Sequence, residues 1–232
     1  MSAPVIAIDG PSGSGKGTLC QMLARAAGWH LLDSGALYRV TGMAARRASV
    51  DLDDGAALAA LVRDMDVRFV LNAPGEPASV MLENVDISAD LRTETAGADA
   101  SRVAVHTELR EALLQRQRDF SQMPGLVADG RDMGTVVFPS AACKIFLTAS
   151  AEERAERRYK QLKNKGLDVT LAALFGEIQD RDRRDSERAV APLKPAADAI
   201  VVDSTGLTIE AVYARVLSEA QKRVPTLNGI EH

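Results

Sequence analysis

Apolar positions along the chain follow two rhythms. The short runs 5–8, 29–32, 126–129, 144–147 and 199–203 are aliphatic or β-branched and have the length of buried strands. Between them, apolar residues recur every three or four positions, as in Leu19, Met22, Leu23 and Ala26, or Leu37, Val40, Met43 and Ala44. That spacing predicts helices with one buried face. Strands separated by helical crossovers predict an α/β fold, with a mostly parallel five-stranded sheet covered on both faces.

The middle of the chain has another texture. A helix over 53–65, carried by Leu58, Leu61, Val62 and Met65, gives way to 67–71, which alternates like a strand. A turn cluster at 72–77 leads to a second strand at 79–82 and a third within 84–88, so 67–88 reads as a small antiparallel insert. A short polar helix is expected at 92–98. It precedes one long helix at 101–120, with Val105, Leu109, Ala112 and Leu113 inward and Arg110 off the stripe. Later, 151–165 and a segment from Thr170 onward are helical in pattern. The second stripe, Leu171, Leu174, Phe175 and Ile178, ends abruptly, and 179–188 contains no apolar residue. An amphipathic helix at 208–223 closes the fold.

The first strand ends at Asp9 and runs into Gly10-Pro-Ser-Gly-Ser-Gly-Lys-Gly-Thr18, where a helix begins. Gly10, Gly13 and Gly15 allow backbone N–H groups to converge on an anion without side-chain obstruction. Lys16 adds charge, and the helix dipole points at the same place. The spacing is that of the nucleotide-phosphate loop up to its last position, where Gly17 replaces the expected magnesium-binding hydroxyl and Thr18 follows one residue late. The second strand repeats the strand-turn-helix arrangement, with Ser34 or Asp33 able to cap a helix that carries Tyr38 and Arg39 near its start. Asp129 closes the third run, followed by Gly130, Arg131 and Asp132. An acidic residue at the carboxyl end of such a strand is placed to hold metal-bound water near phosphates. Arg181, Arg184, Asp185 and Arg188 fall on one helix face, and Arg154, Arg157 and Arg158 cluster on the helix before it.

Composition narrows the function. The net charge of -4 argues against a broad nucleic-acid footprint, so these arginines point to a small anionic ligand. Cys20 and Cys143, with His30, His106 and His232, match no metal-binding spacing. No apolar run approaches the ~20 residues that span a bilayer, and no basic leader precedes the first strand, so a cytoplasmic location is expected. The guanine-reading Asn-Lys-x-Asp signature of a GTPase switch is missing, since Asn164-Lys-Gly-Leu167 fails at its fourth position.

The stretches 8–19, 31–39, 110–114, 128–139 and 188–193 together closely resemble the bacterial cytidylate kinases, within the nucleoside monophosphate kinase family of P-loop kinases. That resemblance implies phosphoryl transfer from ATP to CMP or dCMP by a monomer, with no nucleic-acid polymer or membrane as partner. The expected organisation is one domain at 1–225, holding a monophosphate-binding insert at 63–100 and a helical lid at 152–168, with a tail at 226–232. The resemblance puts the ATP phosphates on Gly10, Pro11, Ser12, Gly13, Ser14, Gly15, Lys16, Gly17 and Thr18, with Arg157 near them. CMP would be held by Ser34, Tyr38, Arg39, Ser101, Arg110, Arg131, Asp132, Arg181, Asp185 and Arg188. Lys16, Arg131, Arg158, Asp129 and Asp132 would carry catalysis. Mg2+ would arrive with ATP, held by its oxygens and by waters that Asp129 or Asp132 positions, with no direct protein ligand.

Overall fold

A computed structural model of the chain describes residues 3–164 and 166–230. The elements in order are β1 (Val5–Asp9), α1 (Lys16–Ala27), β2 (His30–Asp33), α2 (Ser34–Arg47), α3 (Gly55–Leu61), β3 (Val67–Val70), β4 (Ser79–Leu82) and β5 (Val85–Asp86). They continue with α4 (Ser88–Leu91), α5 (Glu94–Val103), α6 (Thr107–Asp119), β6 (Leu126–Gly130), β7 (Cys143–Thr148), α7 (Ala151–Asn164), α8 (Leu171–Ser186), β8 (Ile200–Asp203) and α9 (Ile209–Gln221).

The five runs read as strands form one sheet in the order β2-β6-β1-β7-β8, and every neighbouring pair is parallel. Both faces are covered, which explains why β1 is apolar at consecutive positions. Val5 and Ala7 belong to the core beneath α2, α3 and α6, while Ile6 and Ile8 belong to the opposite core with α1 and α9. Because all five strands are parallel, their carboxyl ends share one edge. There the loops after β1, β2 and β6 meet, and there an open α/β sheet binds its ligands.

The antiparallel unit is also present, as a three-stranded sheet β3-β4-β5. It is docked on α1: the Gln21 side chain accepts the Ala78 N–H at 2.8 Å, and Arg25 donates to the Asn72 carbonyl at 2.7 Å.

The single helix expected at 101–120 is instead two. α5 ends at Val103, Val105 is exposed, and α6 starts at Thr107. α5 buries Ala96, Ala100 and Val103 against α2, whereas α6 buries Leu109 and Leu113 over the sheet beside α3. One straight helix could not serve both directions. The helix expected at 53–65 is likewise shorter at α3, and a π-helical turn at Met133–Val137 had no sequence signal. Lys165, the expected end of α7, lies outside the described residues, as do the last two positions of the 226–232 tail. The first part of that tail is tied down. Leu227 is buried, and Gln221 donates to the carbonyls of Leu227 and Ile230 at 3.1 and 3.0 Å.

Candidate active site

The glycine loop between β1 and α1 is shaped by its backbone. Gly10 has φ +151°, and a Cβ there would stand 1.9 Å from the Leu147 carbonyl oxygen. Only glycine fits that close passage between strands. Gly15, at φ +96°, caps α1 and turns its first N–H groups toward the loop. Lys16 folds back, its Nζ donating to the Pro11 carbonyl at 2.8 Å, and the Ser14 hydroxyl donates to the same oxygen at 3.1 Å. Thr18 is exposed at the surface of α1.

Burial sets the charges beside the loop. Desolvation, helped by Arg131 and opposed by Asp129, lowers the Lys16 pKa to about 8. Asp129 is pushed up to about 6 by burial, against the pull of Lys16. The two therefore carry opposite charges at neutral pH. Gly17 leaves room beside them: a Cβ there would lie 3.5 Å from Asp129 Oδ2. Gly17, Asp33 and Asp129 line a cavity of about 40 Å³ that also touches Phe69 and Val80 of the insert.

Across the crevice the arginines gather from four separate parts of the chain. Arg131, after β6, donates from Nε to Asp185 Oδ2 at 2.8 Å on α8. Arg188 donates from Nε to the Asp185 carbonyl at 3.4 Å, and its Nη2 lies 3.5 Å from Asp185 Oδ1. Arg110 is buried, which the sequence pattern did not indicate. It pairs with Asp132, donates to the Ala104 carbonyl at 3.2 Å, and its guanidinium carbon lies 5.8 Å from the centre of the Tyr38 ring. Ser34 is buried with its hydroxyl donating to Gln117 Oε1 at 2.7 Å. Arg39 donates to the Leu91 carbonyl at 2.9 Å.

This cluster holds more cation than its carboxylates neutralise. Arg181 Nε and Arg188 Nη2 are buried without a hydrogen-bond partner among the described residues. Burial first, then the neighbouring Arg131, lowers the Arg181 pKa to about 10. Arg188 is also lowered by burial, although Asp185 opposes the shift. Two buried guanidinium nitrogens that make no hydrogen bond, one of them in a long ion pair with Asp185, stand inside a ring of like charge and form a site that an anion would relieve. Burial likewise raises the pKa of Tyr38, to about 12, against the nearby Arg110.

The other expected residues make the following contacts. The Ser101 hydroxyl donates to the Gly97 carbonyl one turn back in its own helix. Arg158 reaches out to Glu94 at the start of α5 rather than toward the loop. Arg184, on the expected arginine face, is exposed and bonds the Asp180 carbonyl of its own helix. Arg157 lies beside the loop, donating to the Ser14 and Ser204 carbonyls at 3.4 and 2.7 Å.

Some supporting contacts at the site were not foreseen, that of Arg154 with the glycine loop among them. Arg154 is buried, donating to the Ser12 carbonyl at 3.1 Å and through both terminal nitrogens to Asp182 at 2.9 and 2.5 Å. It braces the glycine loop against α7 and α8. Ser204 donates to the Ser14 carbonyl at 3.2 Å, and Gln117 holds Ser34. Gln117 had a usable signal, since it continues the spacing of Leu109 and Leu113 on the buried face of α6.

Known proteins match the chain over nearly its whole length. The family model described as cytidylate kinase matches residues 6–222. The cytidylate kinase of Aeromonas salmonicida is 59% identical over 222 residues, covering 96% of each chain. That of Pseudomonas putida is 61% identical over 221 residues, covering 95% of this chain and 97% of the relative. That of Azotobacter vinelandii is 58% identical over 219 residues, covering 94% and 96%.

Proposed function

The chain belongs to the cytidylate kinase family, and from that premise we propose that it transfers the γ-phosphoryl group of ATP to CMP or dCMP, giving ADP and CDP or dCDP. The observation that carries the acceptor side is the pair of buried guanidinium nitrogens on Arg181 and Arg188 that make no hydrogen bond, inside a cluster already rich in positive charge. Gly10 to Thr18 take the ATP phosphates. Residues 63–100 form the insert that closes over the monophosphate, and 152–168 form the lid.

The chemistry needs no general base. A phosphate monoester with a second pKa near ~6 reaches the site largely dianionic at neutral pH, so its oxygen is already the nucleophile. The obstacle is bringing two polyanions together in line. Arg131, Arg181 and Arg188 answer it on the acceptor side, with Arg39 at the edge, because guanidinium groups hold phosphate oxygens two at a time and keep their charge. Asp185 holds Arg131 and Arg188, and Ser34 and Tyr38 shape the pocket. Lys16 leaves the Pro11 carbonyl to follow the transferring phosphoryl group. Arg157 and Arg158 come from the lid, and Arg158 must exchange Glu94 for the phosphoryl oxygens as the lid closes. Lid closure also excludes water, without which ATP hydrolysis would compete.

Mg2+ fits the donors present. Among the described residues no group of three or more His, Cys, Asp or Glu is placed to hold a metal, whereas the carboxylates of Asp33 and Asp129 face a small space beside Gly17. A hydrated ion held mainly by ATP oxygens, with these carboxylates binding its waters, suits that arrangement. Mg2+ supplies charge neutralisation at the phosphates.

Base choice rests on Arg110. Cytosine presents acceptors at O2 and N3, while uracil carries a proton on N3. Arg110, held by Asp132, supplies the donor that separates them, with Ser101 and Arg188 completing the contact. The test is coupled ADP release with ATP and Mg2+ across a panel of CMP, dCMP, UMP, AMP and GMP. Release stimulated chiefly by CMP and dCMP is expected; a panel in which CMP gives no ADP overturns the assignment.

A further inference from the structure

The last residue of β1, Asp9, stands next to the ATP phosphate loop in sequence, and its carboxylate bonds the turn after β6. Asp9 Oδ1 accepts the Met133 N–H and Oδ2 accepts the Gly134 N–H, both at 2.8 Å, and the residue is 4% exposed. These are the first two amides of the π-helical turn at Met133–Val137, whose internal hydrogen bonds begin at Val136 and Val137, both donating to the Asp132 carbonyl. The turn's leading N–H groups thus have no partner of their own, and a buried carboxylate from another strand caps both. Lys144 clamps the far end. Its stem lies against Gly134, and its Nζ donates to the Pro139 carbonyl at 2.5 Å.

Arg131 and Asp132 leave the chain immediately before this capped turn, and they hold Asp185 and Arg110 respectively. A shift of the turn would move both. We propose that Asp9 is a positioning residue of the acceptor site: it fixes the turn from which Arg131 and Asp132 project, and so governs CMP affinity and base choice rather than ATP binding. The inference rests on the reading that Arg131, Asp132 and Arg110 serve CMP. Among the described residues the Asp9 side chain hydrogen-bonds only the Met133 and Gly134 amides.

An Asp9→Asn chain keeps the side chain's shape but presents an NH2 group to one of the two amides, leaving that donor orphaned and the turn displaced. Steady-state kinetics should show KM for CMP rising about tenfold, the scale of one buried unpaired donor. The ratio of kcat/KM for CMP over UMP should contract, while KM for ATP changes less than about twofold. A merely structural role would lower the active fraction and so kcat, with both KM values unmoved. That outcome, an equal rise in both KM values, or a rise for ATP alone overturns the inference. A second measurement needs no variant. On the wild-type chain, CMP alone should slow hydrogen exchange at the Met133 and Gly134 amides and ATP alone should not; slowing by ATP alone, or by neither, counts against Asp9. A wild-type chain without CMP-dependent ADP release would instead remove the function on which the inference rests.

Discussion

The two halves of the site are built in opposite ways. The donor loop is one contiguous stretch whose carbonyls at Pro11, Ser12 and Ser14 are already bonded, leaving its N–H groups for an anion: Lys16 and Ser14 bond Pro11, and Arg154, Arg157 and Ser204 take the carbonyls of Ser12 and Ser14. The acceptor cluster is drawn from α2, α6, the turn after β6, α8 and the segment beyond it, and it leaves guanidinium donors unpaired. One half has its path fixed by backbone geometry before any ligand arrives. The other is held by ion pairs whose charge does not balance until an anion arrives. Changes to the loop's single charged side chain should therefore alter turnover, and changes in the cluster should alter which acceptor is used.

The largest effect expected is at Lys16. Lys16→Ala should reduce kcat by about a thousandfold, the scale of losing a positioned charge at a transition state. Thermal melting should show a retained fold, because Gly10 and Gly15 set the loop's path. Turnover near that of the wild type would break the contrast at its firmest point.

Arg158 sits between the two halves and should come second. It is held by Glu94 in this structure, away from the loop, and so contributes only on closure. Arg158→Ala should lower kcat about a hundredfold with CMP affinity within about threefold. Calorimetric CMP titration beside single-turnover rates makes the comparison. A change confined to KM would make Arg158 part of the resting acceptor site.

The same contrast governed what the sequence disclosed. The loop was legible because its chemistry is local: glycines, lysine and helix start follow one another within 10–18. The sheet was legible because buried parallel strands are apolar at consecutive positions. Partners far apart in the chain were not. Arg110 lies off the apolar stripe of α6 and reads as solvent-facing until Asp132 comes to meet it in the fold. Asp182 lies one residue from Arg181, yet it points to Arg154 and the donor loop instead of the acceptor cluster. The break between α5 and α6 was hidden too, since apolar spacing continues through residues whose two ends pack in different directions.

Arg110 tests the acceptor side's selectivity. Arg110→Met removes the donor while keeping a long side chain beside Tyr38. An unpaired buried donor costs about 1–3 kcal/mol, roughly ten- to hundredfold in preference. The variant should lose kcat/KM for CMP by about that factor and change far less for UMP, so the ratio contracts. Parallel rate profiles with both nucleotides check it. An equal decline for the two would mean that Arg110 supplies charge or packing without reading the base.

The smallest effect separates the halves by their protons. In the free protein Lys16 has a pKa of about 8, lowered chiefly by burial. At pH 9 roughly nine-tenths of the lysines are therefore neutral. Phosphate oxygens arriving beside the amine favour its charged form and raise the pKa toward or above its ordinary value, so binding must draw a proton from solution. The acceptor arginines behave differently: Arg181, the one brought down furthest, still has a pKa of about 10 and is mostly charged at pH 9. Calorimetric titrations at pH 9 in two buffers of different ionisation enthalpy should show clear proton uptake with ATP and much less with CMP. At pH 7 the ATP-linked uptake by Lys16 should shrink to about a tenth, because the lysine is already charged. In Lys16→Ala the uptake at pH 9 should vanish while any CMP-linked signal persists. Equal uptake by the two nucleotides would place the titrating group outside the donor loop and dissolve the distinction between a preformed loop with one adjustable charge and a cluster of permanently charged arginines.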